Sequence, residues 1–176
     1  SNRLFQDGKA LYFNGTNSTV DIPNISNLNL AGNFTISVYI MYAPLSINSI
    51  HCIFSQGKNN EGIALTHEVT NTTKTVNFLH TGLNTNATTY KSQDLNKDEW
   101  IHYVLVRNGN TTEIYINGEL KKSVTGVGSI IQTTEILKIG APLASSLVKS
   151  FFGAIDDFRI YNRVLSQEEI MELYYE

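Results

Sequence analysis

The sequence predicts an all-β fold in which two antiparallel sheets pack as a jelly-roll sandwich, followed by one short C-terminal helix. About a dozen short runs of apolar residues, many alternating with polar ones, are mostly closed by Gly, Asn, Asp or Pro, which is typical of strands joined by turns. Hydrophobic residues make up 41% of the 176 residues, enough for a sizeable core. Because no repeat or linker interrupts this pattern, residues 1–176 are predicted to form a single sandwich domain.

The predicted strands follow one another along nearly the whole chain. Each is rich in β-branched and aromatic residues, which fit a pleated and partly buried surface. In chain order they are ALYFNG, STVDIP, NFTISVYIMY, SIHCIFSQG, EGIALTHEV, KTVNFLHTG, TTYKSQ, EWIHYVLVRNG, TEIYING, LKKSVTG, EILKIGA and FFGAIDDFRIYN.

The run at residues 100–107 is predicted to be a central strand, because both of its faces are largely apolar. Trp100 is expected to be a core residue of this strand, and His102 is expected to make structural hydrogen bonds. The run begins a three-strand meander, since Asn108 and Gly109 turn the chain. Asn117-Gly118 then predicts a type I′ hairpin, whose two central residues both need a positive φ.

The C-terminal helix is predicted from a capping pattern. Ser166 precedes QEEIMELYY, and Glu169 lies three residues after it, so the Ser oxygen and the Glu carboxylate can satisfy each other's free amides. The expected buried stripe consists of Leu165, Ile170 and either Leu173 or Tyr174. A helix of about two turns is marginal alone, so it is expected to dock on the sandwich.

Charge and composition exclude several classes of function. The net charge is −3, and Lys and Arg are scattered, so no basic surface for nucleic acid is predicted. No apolar run reaches the roughly 20 residues that a membrane span needs, so membrane insertion is not expected. The single cysteine, Cys52, lies in an apolar run and is expected to be a buried thiol.

Three segments of the C-terminal half carry a family likeness. EWIHYVLVRNGNTTEIYINGELKKS, LKIGA and FFGAIDDFRIYNRVLSQEEIMELY resemble a laminin-G-like domain of the concanavalin A-like lectin/glucanase superfamily. ALYFNGTNSTVDIP is similar to the first strand pair of such domains. The resemblance implies two antiparallel sheets, one of them concave. It also implies a module that binds glycans or proteins and is often joined to secreted enzymes or adhesins.

Some members of this superfamily are glycosidases, but the sequence does not favour catalysis. A glycosidase needs two carboxylates roughly 5–10 Å apart, and in this superfamily they usually lie close together on one strand. No Glu-x-Asp-x-Glu-like run is present, nor is a Gly-x-Ser-x-Gly, HExxH or Walker motif. The protein is therefore predicted not to be an enzyme.

Two aspartates, Asp156 and Asp157, interrupt the apolar pattern of the last strand. Strict alternation puts Asp156 on the face of Phe158 and Ile160, and Asp157 on the opposite face near Arg159. Asp156 is then the inward carboxylate, and such a group needs a partner. Three fates are open: it accepts backbone amides from the neighbouring first strand, it binds Ca²⁺ together with backbone carbonyls, or a bulge turns it to solvent.

The family resemblance implies a calcium ion near this strand, held by the aspartate and by the loop after the first strand. In this sequence the candidate calcium ligands are Asp156, Asn14, Gly15, Ser18 and Asp21. Ca²⁺ takes six to eight oxygen ligands and makes few demands on their geometry. A structural calcium is the only cofactor that the sequence suggests.

Candidate ligand-binding residues lie on the middle strands, which are expected to line the concave face. Sugars stack on aromatic rings, while amides and imidazoles bind their hydroxyl groups. The candidates are His67, Asn77, His80, Tyr90, Gln93 and Tyr103. For the two histidines and for Tyr103 the alternative is a role in packing, and this alternative stays open.

The sequence therefore predicts a non-catalytic recognition module that binds glycans and belongs to a larger extracellular or cell-surface protein, most simply a bacterial one. The sequence itself shows no export signal. A protein–protein adhesion module or a spacer is the first alternative, and a glycoside hydrolase is the second.

Overall fold

The computed structural model describes residues 10–23, 30–43, 49–57, 62–70, 73–80, 87–92, 99–131, 133–142 and 148–176. In these ranges the chain forms thirteen strands and one helix, which confirms the predicted all-β class. The elements are β1 (Leu11–Asn14), β2 (Val20–Ile22), β3 (Phe34–Tyr42), β4 (Ser49–Gln56), β5 (Ile63–Val69), β6 (Lys74–His80), β7 (Ala87–Ser92), β8 (Ile101–Asn108), β9 (Thr111–Ile116), β10 (Glu119–Thr125), β11 (Leu137–Ile139), β12 (Val148–Ser150), β13 (Phe152–Tyr161) and α1 (Gln167–Tyr175).

The strands form two sheets. The six-stranded sheet has the order β1-β13-β3-β8-β9-β10, and the seven-stranded sheet has the order β2-β11-β4-β5-β6-β7, with β12 beside β4. All strand pairs in the described ranges are antiparallel except β12–β4, which is parallel. The crossovers between the sheets give the predicted jelly-roll sandwich.

The main core lies between the two sheets. Phe34 and Ile36 of the six-stranded sheet are fully buried, as are Phe54, Leu65 and Phe78 of the seven-stranded sheet. Complete burial of such a side chain stabilises the fold by about 1.5–3 kcal/mol. This core fixes the inner face of each strand, and therefore which residues lie on the outer faces.

β8 is covered on both faces, as predicted. Leu105 belongs to the core between the sheets, whereas Val104 and Val106 pack against α1 on the other side. The prediction for Trp100 is wrong, because β8 begins at Ile101 and Trp100 is only half-buried before it.

The helix begins where the capping pattern placed it. Ser166 Oγ accepts the amide of Glu169 at 3.3 Å, and Glu169 Oε2 accepts the amide of Ser166 at 2.8 Å. Leu165, Ile170 and Leu173 form the buried stripe and pack on the outer face of the six-stranded sheet. Both the predicted cap and the predicted stripe are thus confirmed.

Polar contacts from the sheet fix both ends of this helical segment. The buried Thr35 hydroxyl donates to Arg163 O at 2.8 Å and accepts the amide of Leu165 at 3.0 Å. The hydroxyl of Tyr39 lies 2.8 Å from Tyr174 O, one of the carbonyls that the end of a helix leaves without an intrahelical partner. These contacts define the position of α1 along the sheet.

The hairpin between β9 and β10 also contacts α1. Asn117 and Gly118 have φ values of 52° and 78°, as the predicted type I′ turn requires. A Cβ atom on Gly118 would lie 2.8 Å from the sulfur of Met171, so glycine also allows the helix to approach closely. Gln167 Nε2 donates to Gly118 O at 2.7 Å.

His67 of β5 is a fully buried polar residue on the inner face. It lies opposite His51 of β4, and its ring meets Tyr42 edge-on at 4.6 Å. Neither ring nitrogen has a hydrogen-bond partner in the described part of the chain. Burial lowers the pKa of His67, and with the smaller effects of the nearby His51 and Lys74 it falls to about 3.

We predict that Ser166→Ala destabilises the protein by about 1 kcal/mol, because it removes the side-chain acceptor of the N-cap. Urea unfolding followed by circular dichroism measures the difference. Ser123→Ala in the exposed strand β10 is the matched control and should change stability little. Equal stability of the two variants would contradict the role of Ser166.

We also predict that His67 makes the fold sensitive to acid. Its pKa is about 3 in the folded protein and 6.5 in an ordinary setting. Between these values the unfolded chain binds the extra proton, so this contribution to stability is complete above pH 6.5. It falls by about 1.4 kcal/mol for each pH unit below that, until the folded pKa is reached.

Urea unfolding from pH 7 to pH 4 compares the wild type with His67→Leu, which lacks the titrating group. The carboxylates titrate in both proteins, so the difference between the two pH profiles reports on His67. Parallel profiles would show that the imidazole does not resist protonation in the core.

Candidate functional site

The outer face of the seven-stranded sheet carries a row of small polar side chains. Leu65 and Phe78 point into the core, so strand alternation puts their neighbours Thr66 and Asn77 on the outer face. Thr66 pairs with Asn77, and Asn77 pairs with Thr89 of β7. α1 packs on the other sheet, so no helix in the described ranges covers this face.

A second row lies one pleat further along the same strands. It consists of Glu68, Thr75 and Lys91, which are cross-strand partners. We call the six residues of the two rows the polar patch: Thr66, Glu68, Thr75, Asn77, Thr89 and Lys91.

The polar patch has a buried floor and accessible edges. Thr66 and Thr75 are only 2% and 4% exposed, whereas Asn77, Thr89 and Glu68 are half-buried and Lys91 is exposed. The hydroxyl of Thr89 donates to Asn77 Oδ1 at 2.9 Å. This bond fixes the orientation of the amide, whose NH₂ group is then the donor that Asn77 can offer to a ligand.

Most of the predicted ligand-binding residues lie elsewhere. Tyr103 and His67 are fully buried in the core, and Tyr90 packs against the core from the inner face of β7, so the prediction that they line a ligand surface is wrong. Burial also raises the pKa of Tyr103 well above its usual value. Asn77 alone of the set lies in the polar patch.

The structure does not test the remaining two predicted ligand-binding residues. His80 pairs with Ile63, a core residue, and its side chain lies outside the described part of the structure. Gln93 lies outside the described residues altogether.

A β-bulge changes the predicted faces of the last strand. Asp156 pairs with Tyr39, but Arg159 already pairs with Ser37, so β13 has one extra residue at this point. Asp157 occupies the bulge with a φ of 45°. Asp156 therefore shares the outer face with Tyr39, and Phe158 and Ile160 face the core. The prediction that Asp156 points inward with them is wrong, because the extra residue reverses the alternation.

Asp156 is half-buried and supports this bulge. Its Oδ1 atom accepts the amide of Asp157 at 2.9 Å. Asp157 also lies 3.7 Å from the guanidinium of Arg159. Of the three fates that the sequence left open, the structure supports the bulge, which turns Asp156 to the outer face, where it is half-buried. The amide that it accepts is that of Asp157, its neighbour on the same strand.

The loop after β1 is closed by its own hydrogen bonds. Asn14 Oδ1 accepts the amides of Thr16, Asn17 and Ser18 at 3.0, 3.1 and 3.2 Å, respectively. Gly15, with a φ of 75°, donates its amide to Phe151 O. The side-chain oxygen that a calcium ion would need is thus engaged within the loop.

The predicted calcium ligands also lie far apart. Asn14 pairs with Phe152, four residues from Asp156 along β13, which corresponds to about 13 Å. Asp21 belongs to the other sheet, where hydrogen bonds from Lys138 at 2.9 Å and from Thr19 lower its pKa. The five residues therefore do not fit a single calcium site, and a calcium ion at Asp156 with other ligands stays a prediction.

Among the described residues, no three His, Cys, Asp or Glu side chains are grouped so that they could hold a metal ion. No helix there is long and apolar enough to cross a membrane.

Sequence reasoning missed five of the six residues of the polar patch. The signal was the polar residue at every second position of IALTHEV, KTVNFLH and ATTYKS. The prediction named Tyr90 and His67, which lie on the inner faces of their strands, instead of their outward-facing neighbours. The alternating pattern alone did not show which of two neighbours shares a face with the core.

The two-sheet jelly-roll sandwich is the fold of the Concanavalin A-like lectin/glucanases superfamily. Within it, the chain belongs to the Laminin_G_3 family, whose model matches residues 14–171. This confirms the resemblance seen in the sequence.

Three solved structures illustrate the fold. The CBM40 of the Ruminococcus gnavus IT-sialidase, bound to α2,3-sialyllactose, has a TM-score of 0.72 and 15% identity over 94% of this chain and 96% of that one. Domain 4 of AbnA, an extracellular arabinanase of Geobacillus stearothermophilus in complex with arabinotriose, has a TM-score of 0.65 and 19% identity over 96% and 78%. A SAP-like pentraxin of Limulus polyphemus has a TM-score of 0.68 and 15% identity over 93% and 80%. At these identities the likeness shows the fold.

We predict that Asp156→Ala destabilises the protein by about 1.5–3 kcal/mol, because it removes a charged acceptor from the bulge. Asp157→Gly should be neutral or stabilising, since glycine adopts a positive φ without strain. Thermal and urea unfolding measure both variants. Equal losses for the two variants would contradict the assigned roles.

The same melting curves, recorded with and without a chelator, test calcium at Asp156. A calcium ion held there would make chelation lower the Tm of the wild type and leave that of Asp156→Ala unchanged. An unchanged wild-type Tm, together with metal-free protein by elemental analysis, would contradict the prediction.

Proposed function

We propose that this protein is a non-catalytic, carbohydrate-binding module of a larger secreted or cell-surface protein, and that the polar patch binds the glycan. The observation that carries the proposal is the composition of the outer sheet face that α1 does not cover. It presents an oriented amide, the hydroxyl group of Thr89, a carboxylate and an ammonium group on three adjacent strands, beside the buried hydroxyl groups of Thr66 and Thr75.

The chemistry of the polar patch suits sugar hydroxyl groups, which both donate and accept hydrogen bonds. The NH₂ group of Asn77 can donate, the carboxylate of Glu68 can accept, and the hydroxyl of Thr89 can accept while it donates to Asn77. No described aromatic side chain lies in the polar patch. Recognition there is therefore proposed to rest on hydrogen bonds to hydroxyl groups rather than on ring stacking.

The positions of the carboxylates support a binding role rather than hydrolysis. On the outer face of the seven-stranded sheet the described carboxylates are Asp21 and Glu68. Asp21 of β2 is three strand spacings from Ala64 of β5, because the cross-strand pairs run from Asp21 to Lys138, then to Ser55 and then to Ala64. Glu68 lies four residues further along β5. This places the two carboxylates about 20 Å apart. A glycosidase pair is separated by only about 5–10 Å.

The comparisons support the same class of ligand. Two of the three similar structures are complexes with a saccharide, sialyllactose in one and arabinotriose in the other. Their fold matches nearly the whole of this chain. Both belong to glycan-degrading enzymes, and a secreted or surface location of the present module is proposed on that basis.

Protein recognition is a second candidate, favoured by the exposed side of α1. Tyr175 is 75% exposed, and an open groove beside it is lined by Met171 and by Glu168 and Glu172. This surface lies on the opposite side of the sandwich from the polar patch, so the two functions can be tested separately.

We predict that Asn77→Ala weakens glycan binding about tenfold, the equivalent of roughly 1.4 kcal/mol for an oriented amide. A glycan array identifies a ligand, and isothermal titration calorimetry then measures its affinity for the wild type and the variant. Asn110→Ala, an exposed amide in the turn between β8 and β9, is the matched control and should bind like the wild type.

Two outcomes would contradict the proposal. The absence of binding to every glycan on the array would overturn the carbohydrate-binding function. Binding that Asn77→Ala leaves unchanged would overturn the placement of the site on the polar patch.

A further inference from the structure

We infer that the polar patch selects neutral glycans over glycans that end in a carboxylated sugar such as sialic acid. This inference rests on the proposed function and adds the chemical class of the ligand. It follows from the positions of the arginines and lysines in the described structure, and it differs from what one structural neighbour binds.

Arginine is the side chain best suited to a sugar carboxylate, because its guanidinium forms two parallel hydrogen bonds to the two oxygens. The sequence contains four arginines: Arg3, Arg107, Arg159 and Arg163. Arg3 lies outside the described residues, and the other three all have structural partners away from the polar patch.

Arg107 is only 3% exposed and lies at the end of the core. Its Nη2 atom donates to Val127 O at 3.0 Å and to Gly128 O at 2.7 Å, and its Nη1 atom donates to Thr112 Oγ1 at 3.1 Å. This guanidinium holds the segment that follows β10 against β8 and β9. It is not accessible to a glycan on the outer face of the other sheet.

Arg159 and Arg163 both lie on the side of the six-stranded sheet that carries α1. Arg163 forms a bidentate ion pair with Glu169, in which Nη1 donates to Oε2 at 2.8 Å and Nη2 donates to Oε1 at 2.6 Å. Arg159 forms an ion pair with Glu176. The described arginines thus serve the core and the helix, and none faces the polar patch.

Among the described residues, the lysines near this face do not supply a bidentate partner either. Lys138, on the outer face at β11, donates to both oxygens of Asp21 at 3.0 and 2.9 Å, so its charge is already balanced. Lys91 is the one cation of the polar patch. Glu68 lies on the same row, separated from Lys91 only by Thr75.

The polar patch therefore has no net charge, and it combines one carboxylate with a single flexible ammonium group. A glycan carboxylate bound there would lose water without gaining a bidentate partner, and the repulsion by Glu68 would offset the attraction by Lys91. The hydroxyl groups of a neutral glycan meet no such penalty. The selectivity is therefore for uncharged sugars.

Titration calorimetry with matched glycan pairs tests the inference. Each pair consists of a neutral glycan found on the array and the same glycan carrying a terminal sialic acid, with lactose and 3′-sialyllactose as the reference pair. We expect the neutral member to bind at least about fivefold more tightly at low ionic strength, where charge repulsion is least screened. Its affinity should change little between low and high salt.

Glu68→Gln is the diagnostic variant, because it removes the repelling charge and keeps the size and an amide oxygen as acceptor. It should raise the affinity for the sialylated member relative to the neutral one. The ratio of the two affinities should therefore fall at least about twofold at low salt. Glu172→Gln on the far side of the sandwich is the matched control and should leave the ratio unchanged.

The outcomes distinguish failure of the neutral selectivity from failure of the proposed glycan binding. Tighter binding of the sialylated members, or an unchanged ratio in Glu68→Gln, overturns the inference of neutral selectivity and leaves glycan binding in place. If neither member of any pair binds, the proposed function itself is overturned.

Discussion

The six-stranded sheet has to bury two apolar faces, and the positions of the other elements depend on this constraint. On β8 the neighbours Val104 and Leu105 are both buried, although they point to opposite sides. One side is buried by the second sheet. The other would expose Val104, Val106 and Tyr115 to water if α1 did not cover them. Each such side chain contributes about 1.5–3 kcal/mol when fully buried, so a helix of only nine residues can dock stably.

Because α1 covers the outer face of one sheet, the proposed glycan site is on the outer face of the other. The two outer faces have opposite chemistry. Around α1 the exposed groups form ion pairs such as Arg163–Glu169, whereas the middle strands of the seven-stranded sheet present Thr, Asn and a balanced pair of charges. The apolar pattern of a single strand, β8, thus determines indirectly which surface of the domain remains available to a ligand.

The fold could be predicted from the sequence because its signals are local. The capping box at Ser166 and the hairpin at Asn117-Gly118 each need only a few adjacent residues, and both form as expected. The sequence predicted less accurately which residues of each strand point to the core and which point outward. At Asp157 one extra residue reverses the alternation of β13, and its positive φ leaves no mark in the sequence. In β5 the choice between His67 and Thr66 depended on which of them shares a face with Leu65. A strand pattern determines that two neighbours oppose each other, and only a core residue of known position determines which one points outward.

The distribution of polar residues between the core and the surface bears on the proposed recognition of a sugar. Several large polar rings are buried. The imidazole of His102 forms a hydrogen bond with Ser37 at 2.8 Å and stacks on Tyr39 at 4.4 Å, and Tyr103 lies against the buried His67. These rings hold the two sheets and α1 together, so they are not available as stacking platforms. The small polar groups, above all Asn77 and Thr89, are outside and already oriented by their mutual hydrogen bond. An amide held in one orientation loses little entropy when it binds, which favours recognition of a specific arrangement of hydroxyl groups. Affinity at such a surface depends on how many of these hydrogen bonds form at once, and specificity depends on the charges placed among them.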